Sequence, residues 1–519
     1  MDFSQFLSDA SGPAGSGGRR SILFASSELA PFSKTGGLGD VAAALPKALA
    51  RLGNQVSVIT PLYNHLDPEE MSLGRRLRKL SVPRRGRNQQ QTEATVWEGR
   101  LDHGARVFFV QNEKHFGHEG IYGYEHEDVA ASADRWAFFS RAVVEFIRQY
   151  SVPVEVLHLN DWHTALAPIY QEHYYDDELG DIPNLLTIHN LGYQGRFSPE
   201  LFDETGLPRT YESDSELLHD GDLNYLEGGI LHTDRLTTVS PTYAEEIQTR
   251  EHGHGLHEVI SERSDDLSGI LNGVDYSVWS PSTDRHIPVR YDIDNLNGKR
   301  RNKAELQHKF DLAIRPAVPL LGFVSRLTDQ KGLDILVPAI RSLLEDIDDP
   351  REGFQVVFLG TGDDEYERQL QELAEEYPDW VGVELAYDDE LAHWFQAGCD
   401  MLLLPSRWEP CGLTQLYAMK YGTLPIAHKT GGLADTVVDV DDDKPNSTGF
   451  VFEHYDADTF AATIRRALNR YSNYRKWRPL MERAMKRDFS WSSAARSYRE
   501  LYDTLLGADE TDEDDKAAE

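Results

Sequence analysis

The sequence predicts an α/β protein of two domains, each a parallel sheet covered by helices. Three observations carry this prediction. Apolar runs of strand length alternate with segments of helical periodicity along most of the chain. At 519 residues the chain exceeds what one core usually supports, while an apolar fraction of 40% is ample for two. A glycine-rich heptad, Lys34-Thr35-Gly36-Gly37-Leu38-Gly39-Asp40, returns as Lys429-Thr430-Gly431-Gly432-Leu433-Ala434-Asp435 with one exchange, each time after an expected strand.

Residues 1–18 are polar, rich in Gly and Ser, and read as a disordered lead. Strand Ser21 to Ser27, the glycine turn, helix Leu38 to Leu52 and strand Gln55 to Thr60 make a βαβ unit, whose ligand belongs at the strand C-termini. The basic run Arg75 to Arg87 reads as a solvated loop, and Glu93 to Val110 alternates around Asp102-His103-Gly104 as a hairpin. Ala131 to Tyr150 is a core-facing helix. Strands Val154 to Leu159, Asn184 to Ile188 and Arg235 to Val239 each end in polar chemistry: Asn160-Asp161-Trp162-His163, His189-Asn190 and Ser240-Pro241. A polar stretch from about Glu251, then an irregular one to about Leu296, marks a boundary, so the first domain spans 19–268 and the second 269–490. In the second, strands Leu320 to Ser325, Gln355 to Leu359, Val381 to Leu385, Met401 to Leu404 and Thr423 to Ala427 alternate with helices. A last helix fills 491–506, and 507–519 is an acidic tail, disordered in composition.

The formal net charge of −35 argues against nucleic acid or an anionic membrane as partner, and no apolar run approaches spanning length. An anionic small substrate remains compatible if Lys and Arg cluster locally. The acidity fits adaptation to high salt, which rising stability in KCl would test. Two cysteines, Cys399 and Cys411, are too few for a disulfide framework and point to a reducing, cytoplasmic setting. Arg19-Arg20 resembles an export signal, but the apolar run after it is short and interrupted by Glu28.

The Lys34 heptad fits either an anion site, with Lys34 and helix-start N–H groups facing a phosphate, or a tight turn needing glycine for its dihedrals. Arg326 and Lys331, clustered after a strand in so acidic a chain, read as a diphosphate clamp, in which Arg grips two oxygens and Lys supplies a point charge, or else as solvated cations of a surface loop. Arg407 to Gln415 follows the next strand, and a helix beginning at Gly412 would aim the N–H groups of Gly412, Leu413 and Thr414 at a phosphate. Glu409 there binds sugar hydroxyls or favours the helix dipole. Cys411 reads as packing. His163 binds a hydroxyl, moves a proton, or is a capping or core histidine. His115 with His118, and His252, His254 and His257, have metal-like spacings without a closed ligand set, so neither metal nor cofactor is expected. A dinucleotide reading fails because Gly37-Leu38-Gly39 lies past its strand and the next strand ends Ile59-Thr60-Pro61 without an acid for the ribose.

These motifs, with Thr187-Ile188-His189-Asn190 and Gly269-Ile270-Leu271-Asn272-Gly273-Val274-Asp275, run in order from about Ser21 to Tyr502 and resemble the bacterial glycogen synthase and starch synthase family, glycosyltransferase family 5. The resemblance implies a GT-B fold, two Rossmann-like domains facing across a deep cleft, with the last helix crossing back to the first. It implies transfer of glucose from ADP-glucose to the non-reducing 4-hydroxyl of an α-1,4-glucan with retention. Lys34, Arg326 and Lys331 would hold the diphosphate with backbone from Gly412, Leu413 and Thr414. Glu409 and His163 would hold the glucose, and Tyr387 stands where the family stacks adenine. The motif residues Gly36, Gly37, Asp40, Asp161, His189, Asn190 and Asn272 would line the substrates. Tyr417, eight residues after Glu409, stands where related retaining enzymes often carry a second glutamate. UDP-glucose as donor, or a non-catalytic glucan-binding scaffold, are the alternatives.

Overall fold

The computed structural model describes residues 19–83, 91–101, 104–118, 120–122, 129–150, 152–213, 215–347, 353–441 and 445–507. The expected lead, the acidic tail beyond Gly507, and Asp102-His103 of the hairpin lie outside these. The chain folds as two compact units. Unit one takes the chain up to Val239, then Glu246–Ile270, then from Trp491 onward; unit two takes Ser240–Glu245 and Leu271–Ser490.

Unit one is built from β1 (Ser21–Ala25), β2 (Gln55–Pro61), β3 (Gly74–Pro83), β4 (Gln91–Arg100), β5 (Arg106–Gln111), β6 (Val156–Asn160), β7 (Asn184–Ile188), β8 (Arg196–Phe197), β9 (Leu218–His219), β10 (Asp222–Asn224), β11 (Arg235–Thr238) and β12 (Leu267–Gly269). Nine of them form one sheet in the order β12-β11-β7-β6-β1-β2-β5-β4-β3, and β8-β10-β9 form a small separate sheet that the sequence did not announce. β1, β6 and β7 are parallel neighbours, so their C-terminal ends lie side by side. Their side chains are almost wholly buried, which is why these strands read as largely apolar runs.

Over residues 75–83 the basic run is not a loop: it forms β3, antiparallel to β4, with Leu80 and Val82 buried, while Arg84 to Arg87 lie outside the described residues. Its cations survive in a strand because the neighbours answer them: Lys79 pairs with Glu93, Arg76 with Glu98, and Arg75 lies over Trp97. Helix Trp491–Leu505 belongs to unit one, where Tyr498 and Tyr502 are fully buried and His158 Nδ1 on β6 is 2.7 Å from the Tyr502 hydroxyl.

Unit two carries β13 (Leu320–Val324), β14 (Gln355–Leu359), β15 (Val381–Glu384), β16 (Met401–Leu404), β17 (Leu424–His428) and β18 (Phe450–Phe452), in the order β15-β14-β13-β16-β17-β18, all parallel. The irregular entry segment is pinned rather than loose. Asp284 accepts from His393 Nδ1 at 2.7 Å and from the Tyr421 hydroxyl at 2.5 Å. Trp279 is sandwiched between His393, 3.7 Å between ring centres, and Tyr417, 4.0 Å, both nearly parallel to it. Tyr417, a buried residue of the helix Thr414–Tyr421, is thus a packing residue. Among the described residues no helix is long and apolar enough to cross a membrane.

Candidate active site

In unit one, adjacency of β1, β6 and β7 gathers the glycine heptad, Asp161 with His163, and His189 with Asn190 at one sheet edge. Backbone and side-chain hydrogen bonds stitch the three ends. Asn160 Nδ2 donates to Ala25 O at 2.9 Å, and Asn160 Oδ1 lies 2.9 Å from His189 Nε2. Asp161 sits in the left-handed region, φ 57°, and its Oδ1 accepts the His189 N–H at 2.7 Å. Burial pushes the Asp161 carboxyl up to about 7, against the backbone N–H groups of His189 and Asn190 that favour its charge. Burial pushes His189 down to about 3. Asn190 Oδ1 is spent on the N–H of Gly192 at 3.0 Å, shaping its own turn.

His163 is buried, its pKa held well below the usual histidine range by burial, so it is a neutral imidazole. Its ring is 4.1 Å from that of Trp162, 4.5 Å from Trp136 and 5.0 Å from Tyr122. Its Nδ1 has no hydrogen-bond partner among the described residues. A buried polar atom left unpaired costs stability and is ready for a ligand hydroxyl.

The Lys34 ammonium lies 3.0 Å from Asp40 Oδ1, and Gly37 opens the helix Gly37–Arg51. Just before the helix, the N–H groups of Thr35 and Gly36 donate to Glu28 Oε2 at 2.9 and 3.2 Å. Cationic charge in this turn therefore comes from Lys34.

In unit two the order β13-β16-β17 sets three further strand ends together. Lys331 lies in the turn Asp329–Lys331, whose next residue, Gly332, has φ 77° and would place a Cβ 2.0 Å from Pro405 O. This close approach brings Lys331 Nζ to 2.6 Å from Glu409 Oε2, the oxygen that also accepts from Ser406 Oγ at 2.7 Å. Gly412 has φ 68°, and the helix starts at Thr414, two residues later than expected, because Gln415 Nε2 bonds the carbonyls of Cys411 and Gly412 and fixes a turn there. A pocket is lined by Lys331, Ser406, Glu409, Gly412, Thr414 and Gln415, among others. Leu413 is half-buried against the core of this unit.

The remaining predicted residues lie apart from that lining. Arg326 is exposed, on a loop held where Leu327 N–H donates to Thr361 O at 3.0 Å. Gly360 and Gly362 are needed there, since a Cβ on either would meet Ser325 O at 1.9 Å or Leu327 O at 2.3 Å. Tyr387 is 69% exposed. Asn272 is buried beside Cys411, its Oδ1 without a partner among the described residues, and burial pushes the Cys411 thiol up to about 12.

The second heptad does not repeat the first. Lys429 pairs with Glu453 at 2.6 Å, both more than half exposed, and Asp435 accepts the N–H and hydroxyl of Thr242. Gly431, φ 43°, and Gly432 lie against the backbone of Glu409 to Cys411, and the Gly432 N–H donates to Glu409 O at 3.0 Å. Sequence reasoning missed Glu28, Tyr122 and Ser406. Glu28 alone left a trace, as a charge ending an apolar run. Of the histidines read for metal spacing, His115 bonds Asn112 and Asp134, His118 Nε2 lies 2.8 Å from His115 O, and His257 Nδ1 is buried without a partner among the described residues, where no group of three or more His, Cys, Asp or Glu is placed to hold a metal.

Residues 21–262 match the starch synthase catalytic domain, and 305–482 match glycosyl transferases group 1. Over 93% of its length the chain is 43% identical to a glycogen synthase of Anaeromyxobacter sp. (strain Fw109-5), covering 99% of that relative. The chain belongs to the glycogen and starch synthase family. A second family member, from Bacillus cereus (strain Q1), is 41% identical over the same share. The catalytic domain of Starch Synthase IV from Arabidopsis thaliana, solved bound to ADP and acarbose, superposes with a TM-score of 0.86 at 34% identity, over 95% of this chain and 100% of that one. A sucrose-phosphate synthase from Thermosynechococcus elongatus shares the fold, TM-score 0.59 at 19% identity over 94% of this chain and 100% of that one. The family fold is GT-B, and this synthase is a glycosyltransferase.

Proposed function

We propose that this glucan-elongating enzyme uses ADP-glucose and adds its glucose, with retention, to the non-reducing 4-hydroxyl of an α-1,4-glucan such as glycogen. The observation that carries the reading is the Lys331–Glu409 pair, set beside the left-handed Gly412 turn in one pocket. Lys331, with the backbone from Gly412 to Thr414, is suited to a diphosphate. Lys34 and Arg326 are read as its further cations. Tyr387, exposed as a stacking ring would be, is assigned to adenine. The ADP in the related plant synthase supports an adenine nucleotide here.

Glu409 Oε2 is occupied by Lys331 and Ser406, which leaves Oε1 for a glucose hydroxyl. Neutral His163 offers Nδ1 to another. In the reaction the bond from the anomeric carbon to the phosphate oxygen breaks, the pair leaves with ADP, and fixed cations stabilise it. The acceptor O4 bonds the anomeric carbon from the same face, and its proton passes to the departing phosphate. Glu409 is the sole carboxylate among the described residues lining the pocket, and its tethered oxygen suits binding better than nucleophilic attack. Both cysteines are buried and unpaired, which fits a cytoplasmic setting. ADP and UDP release, measured with each nucleotide sugar on a glycogen primer, tests the donor. Faster UDP release would reverse the assignment, and no release with either would favour a glucan-binding scaffold.

A further inference from the structure

We propose that Glu28 is a positioning residue, an internal anion around which the Lys34 turn is folded. This rests on the reading of Lys34 as a donor-binding cation. Glu28 is 3% exposed, and among the described residues the hydrogen-bond donors to its carboxylate are uncharged. Oε2 accepts the N–H groups of Thr35 and Gly36 at 2.9 and 3.2 Å, and Oε1 accepts the hydroxyls of Thr35 at 2.7 Å and Tyr122 at 2.5 Å. Tyr122 in turn lies over His163, ring centres 5.0 Å apart and 28° from parallel. One carboxylate thus fixes the turn that carries Lys34 and the ring that covers His163.

The charge makes this arrangement informative. In a chain of net charge −35, a buried carboxylate next to a turn proposed to face a diphosphate works against the ligand. What it supplies is geometry: it claims two backbone N–H groups and a hydroxyl, so the turn holds one shape before substrate arrives. The heptads carry the same signal. Their single difference is Gly39 against Ala434, and a Cβ at Gly39 would lie 3.2 Å from Glu28 Oε2 and 3.2 Å from Lys34 Cβ. Glycine is retained where the carboxylate and the lysine stem close over the helix. The second heptad carries alanine at that place, and its lysine pairs on the surface with Glu453.

The test is a double-mutant cycle on the full chain, read as kcat and KM for ADP-glucose and for glycogen. E28Q keeps the size of the side chain but turns a donor toward groups that need an acceptor. It should lower kcat/KM for ADP-glucose about tenfold to a hundredfold, the scale of a misplaced binding group, with KM for glycogen unchanged. The E28Q/K34A pair should lose much less than the product of the single losses, because both act through one ammonium. T35V, which removes one hydroxyl donor and keeps the carboxylate, should show the same coupling in milder form and serves if E28Q fails to fold. Multiplicative losses in the cycle, or equal rises in both KM values, would overturn the proposal alone. If K34A itself leaves kcat/KM for ADP-glucose unchanged, the reading of Lys34 falls and the proposal with it.

Discussion

The Lys331 ammonium lies 2.6 Å from Glu409 Oε2, with both side chains less than one-fifth exposed. Two residues assigned to different parts of a donor, one to its diphosphate and one to its sugar, are bonded to each other across the turn that Gly332 allows. A lysine has three donors and the carboxylate a second oxygen, so each keeps capacity for a ligand while orienting its partner.

Lys331→Ala therefore removes the cation proposed for the diphosphate and also leaves Glu409 without its counter-charge. The expected loss in kcat/KM is about 10²–10³-fold, the size seen when one preorganised transition-state donor is removed. Lys331→Arg should restore little, because a planar fork does not fit where a point charge is held. Nucleotide release from ADP-glucose measures both variants, and near-normal rates in the alanine variant would refute the site assignment.

Two glycines of the matched heptads should respond in opposite ways. At Gly431, φ 43°, a Cβ would fall 2.1 Å from Glu409 O, so Gly431→Ala must displace the Glu409 loop. It should cost about 1–3 kcal/mol of stability and most of the activity. At Gly36 nothing lies within 4 Å of the same atom and the backbone is extended. Gly36→Ala should stay within about 0.5 kcal/mol of the parent. Chemical denaturation of both checks this, and equal losses would contradict the geometry.

Asp161 gives a pH dependence with a definite sign. Its carboxyl is pushed up to about 7, above the ordinary value of 3.8 that the unfolded chain retains. Between those values the native state holds a proton that the unfolded state has released, so this group's contribution to stability is present at low pH and is lost as pH rises toward 7. Relative to the parent, Asp161→Asn should gain stability between pH 5 and pH 7. Parallel urea-midpoint curves for the two proteins over that interval would exclude the effect.

The Asp284–His393 pair is fully enclosed, its side chains 0% and 1% exposed. Burial opposes the Asp284 charge, but the hydrogen bonds from His393 and Tyr421 outweigh it and hold the carboxyl below its usual value. Asp284→Ala should destabilise unit two by about 1–3 kcal/mol for each of the buried donors, on His393 and Tyr421, that it leaves without an acceptor. A calorimetric scan would report it, and an unshifted transition would show the pair to be incidental.

Parts of the fold were legible because short-range physics writes them into the chain. The buried parallel strands β1, β6, β7, β13, β14 and β16 appear as largely apolar runs, and their ends carry the polar residues that a sheet edge exposes to ligand. β3 was not legible, since its outer face is charged and its pairing with β4 is what makes it a strand. The helix at Thr414 was placed two residues early because the turn before it depends on Gln415, a side chain whose partners are backbone carbonyls invisible to periodicity.

Residue types and spacing by themselves determined which cations, glycines and carboxylates stand at strand ends, and the motifs pointed to the family that the comparisons establish. Tertiary structure alone decided their pairings. It joined Lys331 to Glu409, spent the N–H groups of Thr35 and Gly36 on Glu28, and gave two nearly identical heptads different surroundings. The physical reason is that a hydrogen bond needs its donor and acceptor within about 3 Å, a condition set by strand order and close backbone approach rather than by distance along the chain.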